Sequence, residues 1–338
     1  MNVTLQHIGR ALPERRYGQL ELLEHSPWGR NPTLDRLFLD SAVASRGLAI
    51  PPAWWKWPRT LQETNRAWLQ AALDLGEAAL RDATDPASID ALFVTTVTGV
   101  ATPGLDLLLA KRLGLRSDLA RVHFNQIGCH AAIPLLRVAS DHVRRRPQDR
   151  AVALAVEVCS ACFVPDEATE NLVALSLFGD GAAAVALAAD GEGPALLDFA
   201  SAFDFETMDW LGFDLSANGF RIRLDPRVPD VIERTLAPAV DALLARNGLA
   251  RSDVAGWAIH PGGKRILDAA QSALRLDDDA MRPSRRILRE VGNMSSPSIL
   301  FALSEVLDHG PVGPVVAAAF GPGVGVELAL LDVPQARD

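Results

Sequence analysis

Residues 121–146 read RVHFNQIGCHAAIPLLRVASDHVRRR, and their pattern decides the architecture. The first eight have strand character. From Cys129 onward, apolar positions recur at three- and four-residue spacing, as on one face of a helix. A strand that runs directly into a helix is the repeating unit of an α/β fold, and similar units lie on either side. Upstream, LQETNRAWLQAALDLGEAALRDA (61–83) has helical spacing and stops at Thr-Asp-Pro. IDALFVTT (89–96) reads as a strand and GLDLLLAKRLGL (104–115) as a short helix. Downstream, AVALAVEVC (151–159) and GAAAVALAA (181–189) are nearly unbroken apolar runs, as expected of strands covered on both faces. A helix at about 228–247, the strand VAGWAIH, helices from Gly263 and from near Ser295, and the strands PVVAAAF and GVELALL complete the chain.

The 338 residues are 49% hydrophobic and 22% charged, enough apolar material for a large core. Length suggests two domains or one unit made of two halves. The one seam is ADGEGP (189–194), so we expect two packed halves, 1–195 and 196–338. A net charge of −9, from 33 basic and 42 acidic residues, argues against nucleic acid as a partner. Three cysteines form no disulfide framework, which points to a reducing compartment. The start, MNVTLQHIGRALPERR, has no apolar signal region, and no run approaches the ~18 apolar residues of a membrane span. These features together read as a cytoplasmic protein.

Cys129 stands where strand gives way to helix. The helix dipole and free backbone N–H groups there would favour a thiolate and lower its pKa. A small buried hydrophobe is the other reading. His260 ends a strand in WAIHPGG, where α/β sheets place their sites, and Asn293 lies in the loop GNMSS. Taken alone, they are better read as a core histidine and a capping asparagine.

VHFNQIGCHAA, LFGDGAAAV, WAIHPGGKRILD, GNMSSPSILFAL and AAFGPGVGVE occur in the order found in chalcone-synthase-like enzymes. The chain thus resembles the type III polyketide synthases of the thiolase superfamily, from about residue 36 to the C-terminus. The resemblance implies a five-layered αβαβα fold of two pseudo-duplicated halves, and a homodimer. It makes Cys129 the nucleophile that takes an acyl group from a thioester, and His260 and Asn293 the pair that polarises thioester carbonyls. Such chemistry needs a covalently held acyl group and a carbanion from decarboxylated malonate. Two donors aimed at the developing enolate oxygen stabilise it. His260 is also placed to pair with the Cys129 thiolate. Acyl-CoA and malonyl-CoA are the implied substrates, with no metal and no cofactor.

By the same resemblance, Phe178 is a gatekeeper aromatic, and the second gatekeeper position holds Ile222. The smaller Ile222 should open the gate to long alkyl starters. Cys162 and Ser295 match cavity positions, Thr102 the place from which plant relatives reach the neighbouring subunit's cavity, and Pro322 the backing of the site. Arg36 matches one of the basic residues that hold coenzyme A. Two companion places fall on Thr33 and Asp40, with Lys264 and Arg265 available as substitutes. This leaves an acyl carrier protein open as donor, and with it a carrier-dependent ketosynthase of the 3-oxoacyl-carrier synthase or chain-joining type. A non-catalytic partner subunit is a third reading. His130 replaces a phenylalanine of plant relatives. CSAC (159–162) reads as cavity wall that opens no helix, and Trp54, Trp55 and Trp57 as a loop packed on the core or an apolar docking rim.

Overall fold

The two alanine-rich runs pair with each other at the centre of the larger arm of a nine-stranded sheet. The computed structural model describes residues 2–162, 164 and 167–335. In chain order the strands of this sheet are β1 (Val3–Ala11), β2 (Ala91–Thr96), β3 (Ala120–Asn125), β4 (Ala151–Val158), β5 (Asp180–Ala189) and β6 (Ala195–Ala202). A separate hairpin, β7 (Leu211–Ser216) and β8 (Gly219–Leu224), interrupts them. The sheet resumes with β9 (Gly256–Ile259), β10 (Gly313–Gly321) and β11 (Gly325–Val333).

Strand order is β9-β10-β11-β6-β1-β5-β4-β2-β3. In the first arm β3, β2 and β4 run parallel, and β5 and β1 follow antiparallel. The second arm repeats the rule: β9 and β10 are parallel, and β11 and β6 are antiparallel. The arms meet in one pairing, Thr4 with Ala195. This is the pseudo-duplication that the resemblance implies.

Seven helices matter here: α1 (Leu61–Ala83), α2 (Ala132–Arg145), α3 (Thr169–Leu177), α4 (Val228–Arg246), α5 (Lys264–Leu274), α6 (Asp278–Val291) and α7 (Ser298–Asp308). Helix α2 packs on β2, β4 and β5 and also on β6 and β11; α7 packs on β9 and β10 and on β1 and β5. Both are therefore sandwiched between the arms. Residues 298–306 of α7 are all buried, as a helix apolar on every side must be. Helix α1 covers the outer face of β1, β4 and β5, and α4 covers β6 and β11 with α5 beside it. The layers are thus αβαβα.

The sequence reading missed β1, β6, the hairpin, α3 and α6. Strand β6 and the hairpin are only partly buried, so they lack the dense apolar signal of β4. One expectation fails locally: Cys159–Cys162 forms a single helical turn directly after β4. Among the described residues, no helix is long and apolar enough to cross a membrane.

Candidate active site

Cys129 lies between β3 and α2, three residues before the first helical position. Gly128 has φ +108, and a Cβ there would meet Pro322 Cδ at 2.2 Å. Only glycine lets the backbone turn this sharply while Pro322 closes over it. The expected backing by Pro322 is thus a direct contact with the residue before the thiol.

The thiol is 8% exposed and packs with Cys159, Ala174 and Phe178. Ser295 Oγ donates to its sulfur at 3.2 Å. Ser295, held at φ +60, also donates its backbone N–H to Asn293 Oδ1 at 2.8 Å. Asn293 Nδ2 donates to the Gly262 carbonyl at 3.2 Å, and the Gly262 N–H donates to the His260 carbonyl at 2.8 Å. A chain of hydrogen bonds therefore runs from Cys129 through Ser295, Asn293 and Gly262 to the backbone carbonyl of His260, 131 residues along the chain, while the His260 ring Nδ1 has no partner among the described residues. His260 and Asn293 are both buried. The Asn293 backbone is pinned across the halves: its N–H donates to Leu177 O, and its carbonyl accepts from Gly179 N, both at 2.9 Å.

Electrostatics correct one sequence expectation. Burial pushes the Cys129 thiol up to about 12, against a smaller opposing effect of the Ser295 hydrogen bond. The helix-dipole argument predicted the reverse. It fails because the helix starts three residues later, and backbone turns already take the Ala131 and Ile133 N–H groups. Burial, assisted by His130, pushes His260 down to about 3. Each lone charge is therefore disfavoured.

Two buried charged residues escaped the sequence reading. Glu157, at the end of β4, is fully buried and accepts from Val97 N, Thr98 N, Thr98 Oγ1, Thr96 Oγ1 and Ser296 Oγ. Burial raises it to about 7, and its charge opposes that of Cys129. An acidic residue inside an otherwise apolar strand was the available signal. Arg46, also fully buried, lies in a short segment with no motif around it. His130 is buried beside Gly321, Gly325 and the edge of Phe203, and burial lowers it to about 4.

Cys162, Phe178, Ile222 and Ser295 line one cavity, as expected, together with Phe213 and Phe220 of the hairpin. The rings of Phe213 and Phe220 meet edge to face, 6.5 Å apart. The empty space between these walls is about 400 Å³, including the part open to solvent. Ile222 stands in this wall between the two aromatic rings of the hairpin.

The remaining candidates lie elsewhere. Thr102, before a cis peptide bond to Pro103, is exposed and does not line this cavity. Arg36 is exposed and pairs with Asp40 at 3.4 Å. Thr33 donates its backbone N–H to the Asn31 side chain in the first turn of its helix. Lys264 pairs with Asp268 at 2.6 Å, and Arg265 donates to Pro226 O at 2.9 Å. Trp55 is buried, with its indole N–H on Ser160 O at 2.9 Å, and Arg59 lies over the Trp54 ring. Trp57 is 69% exposed. Among the described residues, no group of three or more His, Cys, Asp or Glu side chains is placed to hold a metal.

With this architecture around a buried thiol, the protein falls in the thiolase-like class of acyltransferases that form carbon–carbon bonds. Two sequence families divide the chain: "Chalcone and stilbene synthases, N-terminal domain" matches residues 60–191, and "Chalcone and stilbene synthases, C-terminal domain" matches 200–334. The chain belongs to the chalcone and stilbene synthase family. It is 38% identical to a 1,3,6,8-tetrahydroxynaphthalene synthase of Streptomyces peucetius subsp. caesius, over 96% of this chain and 91% of the relative. It is 34% identical to a 3,5-dihydroxyphenylacetyl-CoA synthase of Streptomyces toyocaensis, over 96% and 88%. The crystal structure of the Streptomyces coelicolor A3(2) tetrahydroxynaphthalene synthase, a bacterial type III polyketide synthase, matches with TM-score 0.90 and 31% identity, covering 98% of this chain and 100% of that one. A polyketide synthase of the brown alga Ectocarpus siliculosus matches with TM-score 0.93 and 27% identity, covering 98% of both chains. The protein is a polyketide-forming condensing enzyme, and none of these relatives is named as carrier-dependent.

Proposed function

We propose that Cys129, His260 and Asn293 carry out iterative decarboxylative condensation of malonyl-CoA onto an acyl starter, followed by closure to a pyrone or resorcinol-type ring. His260 takes the Cys129 proton. The thiolate attacks the starter thioester, and coenzyme A leaves with that proton. Malonyl-CoA then loses CO₂, and the electron pair of the broken C–C bond moves onto the thioester oxygen as an enolate. The His260 imidazole and the Asn293 amide donate to that oxygen. The enolate carbon attacks the Cys129-bound acyl carbonyl, forms the new C–C bond and expels the thiolate. Metal and redox cofactors have no part in these steps.

The observation that supports this reading is the hydrogen-bonded path from Cys129 through Ser295 and Asn293 to the backbone of His260, buried beside a cavity. Free coenzyme A is the proposed donor, with Arg36, Lys264 and Arg265 exchanging their present partners for its phosphates. A homodimer formed along the β3 edge would bring the exposed Thr102 loop to the partner's cavity.

Intact-mass measurement tests the scheme. A short acyl-CoA should leave an adduct that vanishes in Cys129→Ala, and malonyl-CoA should be consumed. An adduct formed only from a carrier protein would overturn the donor. Absence of any adduct would overturn the reaction.

A further inference from the structure

Arg46 is a fully buried cation that forms no ion pair among the described residues. Its Nη2 donates to Leu175 O and its Nη1 to Ser176 O, while Nε has no partner. A buried charge is retained at this expense only where it does something a neutral side chain cannot.

The carbonyls Arg46 reaches belong to the last turn of α3. A helix leaves its four final carbonyls unpaired. Here Ala174 O accepts from Phe178 N, and Leu175 O and Ser176 O accept from Arg46. Leu177 O accepts from Asn293 N at 2.9 Å. The cation thus sits at the negative end of the α3 dipole, and the remaining carbonyl holds the backbone of the amide that the functional reading places on the enolate. The crossing is close. A Cβ on Gly179 would stand 3.2 Å from Arg46 Cβ, and one on Gly292, at φ +74, would stand 2.7 Å from Leu177 O. Glycine on both passing strands lets the chain at Asn293 lie directly over the arginine.

We propose that Arg46 is a positioning residue for the decarboxylating half of the site: by capping α3 it fixes the Leu177 carbonyl, and through it the direction of the Asn293 side chain. The inference rests on the proposed roles of Asn293 and Cys129, and it predicts that the two half-reactions respond differently. Cys129 takes its backbone from the turn before α2, on which Arg46 makes no hydrogen bond, and meets α3 only through the side chains of Ala174 and Phe178. Partial support for α3 comes from Gln19, whose Nε2 donates to the same Ser176 carbonyl at 2.8 Å.

The test compares wild type with Arg46→Lys, which keeps the charge and loses the two-pronged donor. Acyl transfer to Cys129 is followed by intact mass, and conversion of malonyl-CoA to acetyl-CoA and CO₂ by chromatography. Decarboxylation should fall at least about tenfold, the scale of one lost charge-assisted hydrogen bond, with acyl transfer within about threefold. Parallel losses, or unchanged decarboxylation, overturn the proposal. If Arg46→Lys shows no cooperative melting, Gln19→Leu decides. A selective loss of decarboxylation of about two- to fivefold supports positioning, and equal or absent losses overturn it. Wild-type protein that acylates Cys129 yet never decarboxylates malonyl-CoA would instead overturn the functional reading, and this inference with it.

Discussion

Glu157→Gln should flatten the dependence of stability on pH. The Glu157 carboxyl is fully buried, and burial raises it from 4.5 to about 7 despite donors from Val97, Thr96, Thr98 and Ser296. The folded state therefore holds a proton between pH 4.5 and 7 that the unfolded chain has released. The stability this contributes is complete below about pH 4.5 and is lost as pH rises through about 7. At roughly 1.4 kcal/mol per pH unit, the separation corresponds to at most about 3.5 kcal/mol. Asp180, also raised by burial to about 6, adds a slope of the same sign, so the comparison must be made between variants. Glutamine places an amide against Ser296 Oγ, which can accept by rotating, so any cost of the exchange is constant with pH. Urea denaturation of both proteins at intervals from pH 5 to 8 measures the effect. The unfolding free energy of wild type should fall across this range by about 2–3 kcal/mol more than that of Glu157→Gln. Equal slopes within about 0.5 kcal/mol would refute the assignment of the buried proton to Glu157.

Other substitutions probe the thiol and the cavity. His260→Gln should slow iodoacetamide alkylation of Cys129 at pH 7 by about tenfold or more, because the buried thiolate loses its compensating cation; an unchanged rate would show that the thiol ionises without the imidazole. Phe220→Ala, or Phe213→Ala, removes a ring from the cavity wall and should move the product distribution toward longer chains or bulkier starters. Identical product masses would mean that the hairpin does not set chain length. Gly128→Ala puts a Cβ 2.2 Å from Pro322 Cδ at φ +108, so acyl transfer to Cys129 should drop by more than about tenfold. Retention of wild-type transfer would argue that the turn tolerates a side chain.

Much of the frame was legible in one dimension. Residues 151–158 and 181–189 are so uniformly apolar that only strands covered on both faces accommodate them, and both are central strands. The order of the short motifs around Cys129, His260 and Asn293 was enough to anticipate their association. Strands with mixed exposure, such as Leu211–Ser216, carry no such signal and went unread.

What the chain alone determined was local: where helices and strands form, and which residues could serve as nucleophile and hydrogen-bond donors. These follow from spacing and side-chain chemistry, both properties of neighbours along the backbone. Folding decided the rest. The Cys129 ionisation reversed its expected direction because burial depends on every layer packed around it, whereas the dipole argument considered one helix. The company Ile222 keeps in the cavity wall was also set by folding, which brings Phe213 opposite it across the hairpin and Phe220 beside it on the same strand. Arg46 meets the end of α3 only because segments 130 residues apart cross there, a relation that no periodicity encodes.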